Sequence, residues 1–180
     1  VTAIIESVTS VLQGGGRAVI MARQGGRLHR RAVEALSQPA PDYVTVRSSE
    51  AGGPADAKAV LALYVDRADA TNLTARLFDR FDYFVAPAHE RTHWALGLGL
   101  PMFVLLPSVG TFAPLNLQAL VSAKVAMPLD EANPPSSLGR VLQTLREDGS
   151  LARMSRAGWG KYSLEGFRFI ARYLVDRYGG

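Results

Sequence analysis

Apolar positions along the chain follow two spacings in turn. Ile4, Ile5, Val8, Val11 and Leu12 recur at helical intervals, and Gly14-Gly15-Gly16 closes that segment. Ala18 to Ala22 is a short apolar run suited to a buried strand. Gln24-Gly25-Gly26 turns the chain, and Leu28, Ala32, Val33 and Leu36 then share one helical face before Pro39 and Pro41. Further strands are expected at Tyr43 to Val46, Val60 to Val65, Tyr83 to Ala86, Met102 to Leu106 and Val125 to Met127. A loop with Gly52, Gly53 and Pro54 separates the first two of these. Helices are expected at Asn72 to Phe81, Thr92 to Leu98, Leu115 to Ala123, Leu138 to Arg146, Leu151 to Gly158 and Leu164 to Tyr178. Ser136 or Ser137 is placed to cap the helix from Leu138.

Strands separated by helices of this length imply parallel pairing through crossovers, with both sheet faces covered. The expected fold class is therefore α/β: a Rossmann-like parallel sheet of about six strands with helices on both faces. No internal repeat or second domain is visible, so residues 1–180 form one expected domain. Ligands of such sheets bind beyond the carboxyl ends of the strands, at helix N-termini. That directs attention to Arg23 to Arg27, Asp66 to Asn72, Pro87 to Thr92 and Pro107 to Asn116.

Composition adds bounds. The chain has 180 residues, 48% hydrophobic and 20% charged, which suits a folded core and excludes a disordered segment. Cysteine is absent, which removes disulfides and thiolate metal sites and fits a reducing compartment. Apolar runs such as Leu98 to Leu106 are too short to cross a bilayer, and Val1 to Leu12 lacks the basic start of a signal peptide. The expected location is cytoplasmic. A net charge of +4 favours anionic partners, although a modest arginine excess is also ordinary solvated surface. The chain starts at Val1 within a helical pattern, and is expected to be a piece of a longer protein.

His89-Glu90-Arg91-Thr92-His93 matches the H-E-x-x-H zinc pattern, in which two histidines on one helical face hold the metal. It directly follows a strand and Pro87, and His29 is the only other histidine, so a zinc hydrolase is the least favoured expectation. No metal site is expected, and His89 and His93 fit a polar loop at a strand end better. There is no nucleophile elbow and no Walker loop. The last helix sets Arg168, Arg172 and Arg177 beside Phe167, Phe169 and Tyr173, and reads as an amphipathic packing helix rather than a nucleic-acid binder.

Taken in order, these segments resemble the C-terminal domain of GT-B type glycosyltransferases of the MurG-like kind. Ala62-Leu63-Tyr64-Val65-Asp66 is similar to the family's base-contacting strand and turn, and Leu73 to Asp82 to the helix that follows. Tyr83 to Ala86, Thr92, Ala95 to Pro101 and Met102 to Pro107 resemble its next strand, loop, small-residue segment and strand. Asn116 to Val121 and Leu151 to Met154 resemble two later helices, and Gln24 to Leu28 its opening turn. Two positions depart from the pattern. The loop holds bulky His89, Glu90 and Arg91 where small residues are usual, and Ala95 stands where the family has a ribose-binding glutamate.

The resemblance implies one half of a GT-B fold that binds a nucleotide diphosphate sugar as donor, with no further cofactor. The acceptor domain and the catalytic base would lie in an N-terminal half outside this chain, so no catalytic residue is assigned. It implies Gln24, Gly25 and Gly26 near phosphate, and Tyr64 and Val65 near the base. His89, Glu90, Arg91 and Thr92 would lie near diphosphate and ribose, and Asn116 and Gln118 near the sugar. The last helix is expected to return to the N-terminal half, with peripheral membrane contact as the other expectation. Nucleic acid is not an expected partner. The departures leave a non-catalytic GT-B-like scaffold as the main alternative.

Overall fold

Strands and helices alternate through residues 1–37, 43–47, 57–89, 91–163 and 165–178, which the computed structural model describes. Pro39, Pro41, Gly52, Gly53 and Pro54 of the expected loops lie outside the described residues, as do Glu90 and Leu164. The order is α1 (Thr2–Gln13), β1 (Ala18–Arg23), α2 (Arg27–Leu36), β2 (Tyr43–Arg47), β3 (Ala59–Tyr64), α3 (Arg67–Leu77) and β4 (Phe84–Ala86). It continues with α4 (Thr92–Gly97), β5 (Met102–Leu105), α5 (Ala113–Ser122), β6 (Ala126–Leu129), α6 (Leu138–Glu147), α7 (Ser150–Gly158) and α8 (Gly166–Tyr178).

Most boundaries fall within two residues of expectation. Helix α3 is the exception, beginning five residues before Asn72. Asp66 caps it, its Oδ1 accepting from the Asp69 amide at 2.9 Å. The apolar stripe Leu73 and Leu77 covers only the second half of that helix, so periodicity alone misses its start. Its other end tightens into a 3-10 turn at Phe78–Arg80 instead of running on to Phe81.

All strand pairs are parallel, as the alternation implies. The single six-stranded sheet is corrected: the strands form two three-stranded sheets, ordered β1-β3-β2 and β4-β5-β6. Each central strand is a continuous buried run. β3 buries Ala59 to Leu63, and β5 buries Met102 to Leu105. The edges differ in composition. β2 ends on exposed Arg47 and β6 carries Pro128, both tolerated where one side of the strand is unpaired.

Helix α1 explains how the sheets stay together without a shared ladder. Ile5, Val8 and Leu12 pack with Ile20 and Leu61 of the first sheet, whereas Val11, Ala3 and Ile4 pack with Phe103 and Leu129 of the second. The apolar positions of one helix are thus divided between two cores. Ser10 and Gly139 weld α1 to α6. The Gly139 amide donates to Ser10 Oγ at 2.9 Å, and a side chain on Gly139 would strike the Ser10 carbonyl. On the opposite faces, α3 covers Val60 and Ala62, while Ala95 of α4 and Leu120 of α5 cover Met102 and Val104.

Tyr83 sits where the second core meets its polar edge, its ring edge-on to Phe103 at 5.5 Å. Burial pushes its hydroxyl up from 10.0 to about 12; Arg146 opposes that shift and Asp82 adds to it. The folded pKa exceeds the unfolded one, so the unfolded chain loses this proton first as pH rises. Stability from this group is intact below pH 10 and is lost between about 10 and 12. Denaturant titrations should show wild type losing roughly 2 kcal/mol more than Tyr83→Phe between pH 9 and 11.5. Equal losses would mean that the phenol is solvated in the fold.

Candidate ligand site at the strand ends

The loop after β1 makes a tight turn, with Gly25 at φ +70° and Gly26 as N-cap of α2. No side chain caps α2, so its first-turn amides face outward beside Arg27 and Arg30. Such an end attracts anions through its amides and its dipole. The turn is braced from within: the Gly25 amide donates to His29 Nδ1 at 3.0 Å, and Arg30 Nη1 donates to the Gly25 carbonyl at 2.6 Å. Gln24 is exposed, and its amide donates to the Tyr64 carbonyl at 2.8 Å, joining the ends of β1 and β3.

The loop after β3 has the opposite character. Asp66 caps α3, and Asp69 Oδ2 accepts from the Val65 amide at 2.8 Å. Two carboxylates therefore occupy the place a phosphate would take. Tyr64 is half-buried against the core around Leu73, whereas the Val65 side chain is 61% exposed. The Val65 amide and the Tyr64 carbonyl are both engaged within the fold.

Beyond β4 the chain turns through Pro87, buried Ala88 and exposed His89. Arg91 adopts a left-handed conformation (φ 56°) at the N-cap of α4, and its guanidinium lies 4.7 Å from the centre of the Trp94 ring. Thr92 begins the helix and is half-buried. His93 stands edge-on to Trp94 at 6.2 Å. Partial burial, and then the positive charge of Arg91, hold the His93 pKa below 6.5. Because α4 starts at Thr92, His93 is helical while His89 lies in the preceding turn, so the pair does not form the one-face arrangement of a zinc helix. Among the described residues no three metal-binding side chains converge.

Asn116 of α5 is committed structurally, its Nδ2 donating to the Ala88 carbonyl at 2.8 Å and holding the loop that carries His89. Gln118 is exposed two residues further on. Ala95 is fully buried, and Gly158 of α7 packs on its carbonyl, so position 95 faces the core and not the loop surface. The same loop region exposes Val109 (63%), Phe112 (71%) and Leu115 (61%).

The expected residues thus form two groups. Gln24, Gly25, Gly26, Tyr64 and Val65 belong to the first sheet, tied by the Gln24 to Tyr64 bond. His89, Arg91, Thr92 and Asn116 belong to the second, tied through Ala88. Between the sheets runs a cleft of about 860 Å³, lined by Leu28 from one side and by Arg91 and Trp94 from the other. The sequence pointed to the loops holding Arg27, Asp66 and Asp69 without giving those side chains a role, and His29, Arg30 and Trp94 were not singled out as site residues. The capping spacing of Asp66 and Asp69 was the available signal for those two. No family model, curated protein or solved structure matches the chain significantly.

Proposed function

We propose that this chain is a nucleotide-diphosphate-binding module, the donor half of a GT-B-like glycosyltransferase. The observation that carries this is the uncapped N-terminus of α2 behind the Gly25-Gly26 turn, flanked by Arg27 and Arg30. Its neighbour α3 is closed to anions by Asp66 and Asp69, which favours α2 on the first-sheet side, with Arg91 across the cleft. The chain would supply binding and charge stabilisation for the leaving diphosphate, and the other half would supply the base. Ribose recognition would have to come from a residue other than Ala95, since that position is buried.

Calorimetric titration with UDP, GDP, TDP and ADP tests this. One of them should bind saturably, and Arg91→Ala should weaken it about tenfold or more, the loss of one charge-assisted contact. His89→Ala, altering an exposed loop side chain, should cost less. Absence of binding to all four, with the chain folded, rules the proposal out.

A non-catalytic binding module is the second reading, favoured by exposed Val109, Phe112 and Leu115 beside Asn116 and by buried Ala95. It predicts no nucleotide affinity and a loss of partner binding on Phe112→Ala.

A further inference from the structure

The cleft between the two sheets has walls of an unusual kind. Among the described residues, β1 pairs with β3 on one side only and β4 pairs with β5 on one side only, so both strands present an unpaired edge toward the gap. Alternate amides and carbonyls of each strand point there, and backbone polar groups seek partners when covered. The lining runs from Gly15 to Met21 and from Arg80 to Pro87, so it follows β1 from Ala18 to Met21 and the whole of β4.

The faces of the gap suit alternate side chains. Ile4 and Val8 of α1 lie on one face, and aromatic Phe81 and Trp94 on the other. Both ends are basic. Arg17 stands where β1 begins, Arg146 stands by the start of β4 in an exposed ion pair with Asp82 at 3.7 Å, and Arg91 stands past the end of β4.

We propose that this cleft receives an extended peptide strand with acidic flanks, which pairs with β1 and β4 and joins the two sheets into one. The inserted backbone satisfies both edges, its alternating apolar side chains enter the α1 and aromatic faces, and its terminal carboxylates meet the arginines. A lipid-like amphiphile would match the apolar faces but leave the edge amides unpaired. The proposal shares Arg91 with the proposed nucleotide site but otherwise rests on the strand edges, whereas nucleotide binding would use the loops beyond the strands.

The test is amide hydrogen exchange on the full chain with three probes. They are a capped peptide of about seven residues, alternating valine and threonine between terminal glutamates, its analogue N-methylated at alternate backbone nitrogens, and decyl phosphate. The first should slow exchange at Val19, Met21 and Val85, whose amides point away from β3 and β5 into the gap, by about tenfold or more, and the second should not. Arg91→Glu should weaken the effect, while the denaturation midpoint reports that the variant is folded. Equal protection by the methylated peptide or by decyl phosphate would overturn the proposal in favour of an amphiphile site. Slow exchange at those amides in the free chain would overturn it in favour of direct pairing of β1 with β4, and no peptide-dependent change would overturn it outright.

Discussion

Phe103→Ala is expected to lower the unfolding free energy by about 3–5 kcal/mol. Phe103 is fully buried in β5, the central strand of its sheet, where it meets Tyr83, α1 and α6. The deletion removes the largest fully buried side chain among the described residues and leaves a cavity whose neighbours are fixed by a ladder on each side. Against a total stability of about 5–15 kcal/mol, that is a large fraction. The control is Phe112→Ala, the same chemical change at a side chain 71% exposed, which should stay within about 0.5 kcal/mol. Paired urea titrations decide the matter. A Phe103→Ala cost below about 1 kcal/mol would mean that the core relaxes around the gap and is less tightly held than its burial implies.

Gly158→Ala carries the second large effect, and it couples stability to the site. A β-carbon at position 158 would collide with the Ala95 carbonyl of α4 and press on Val125, both of them rigid neighbours. Either α7 or α4 must move, at a cost of about 1–3 kcal/mol or more. Gly99 lies in the same seam, its own added β-carbon falling 2.6 Å from the Ser155 carbonyl, so there is no slack nearby. Movement of α4 carries Thr92, His93 and the Trp94 ring under Arg91 with it. The variant should therefore lose affinity for whatever binds beside Arg91 beyond its loss of stability. Gly139→Ala supplies the comparison, because it meets a backbone carbonyl at the α1–α6 seam and leaves α4 alone. Equal ligand affinity in the two variants, measured where both are folded, would show that α4 is not set by α7.

The element order was legible because hydrophobic spacing reports directly on burial. The runs Ala59 to Leu63 and Met102 to Leu105 read as buried strands, and they are the central strands. What was not legible was how the strands are shared out. A parallel strand looks the same whether its free edge meets another strand or a gap, so nothing in Val19 to Met21 or Phe84 to Ala86 revealed the cleft. The division of α1 between two cores was present in its residues, yet one helix face packing on a single sheet gives the same spacing.

The positions of the expected residues could be read from the sequence, not any role. Gln24 to Gly26, His89 and Arg91 fall in loops beyond strand ends, and Thr92 begins α4. Partners formed by folding were hidden. His29 accepting from Gly25, Asp69 accepting from Val65 and Asn116 donating to Ala88 all engage groups that sequence alone leaves open to a ligand. The H-E-x-x-H match was least favoured from its place after a strand, and α4 starting at Thr92 agrees, since the spacing has meaning only inside a helix. No helix among the described residues is long and apolar enough to cross a membrane.

The most direct measurement is an NMR titration of the ¹⁵N-labelled chain with UDP, GDP, TDP and ADP, following amide shifts and the His93 imidazole. Binding as proposed moves the amides of Gln24 to His29 together with those of Arg91 and Thr92. It also raises the His93 pKa, because an anion beside Arg91 offsets the positive charge that now lowers it. In the free protein that depressed pKa favours folding above 6.5, and its contribution is lost as pH falls through the folded value, so bound nucleotide should reduce this acid sensitivity. Shifts confined to other surfaces, or an unchanged His93 at saturation, would contradict a diphosphate site at these strand ends.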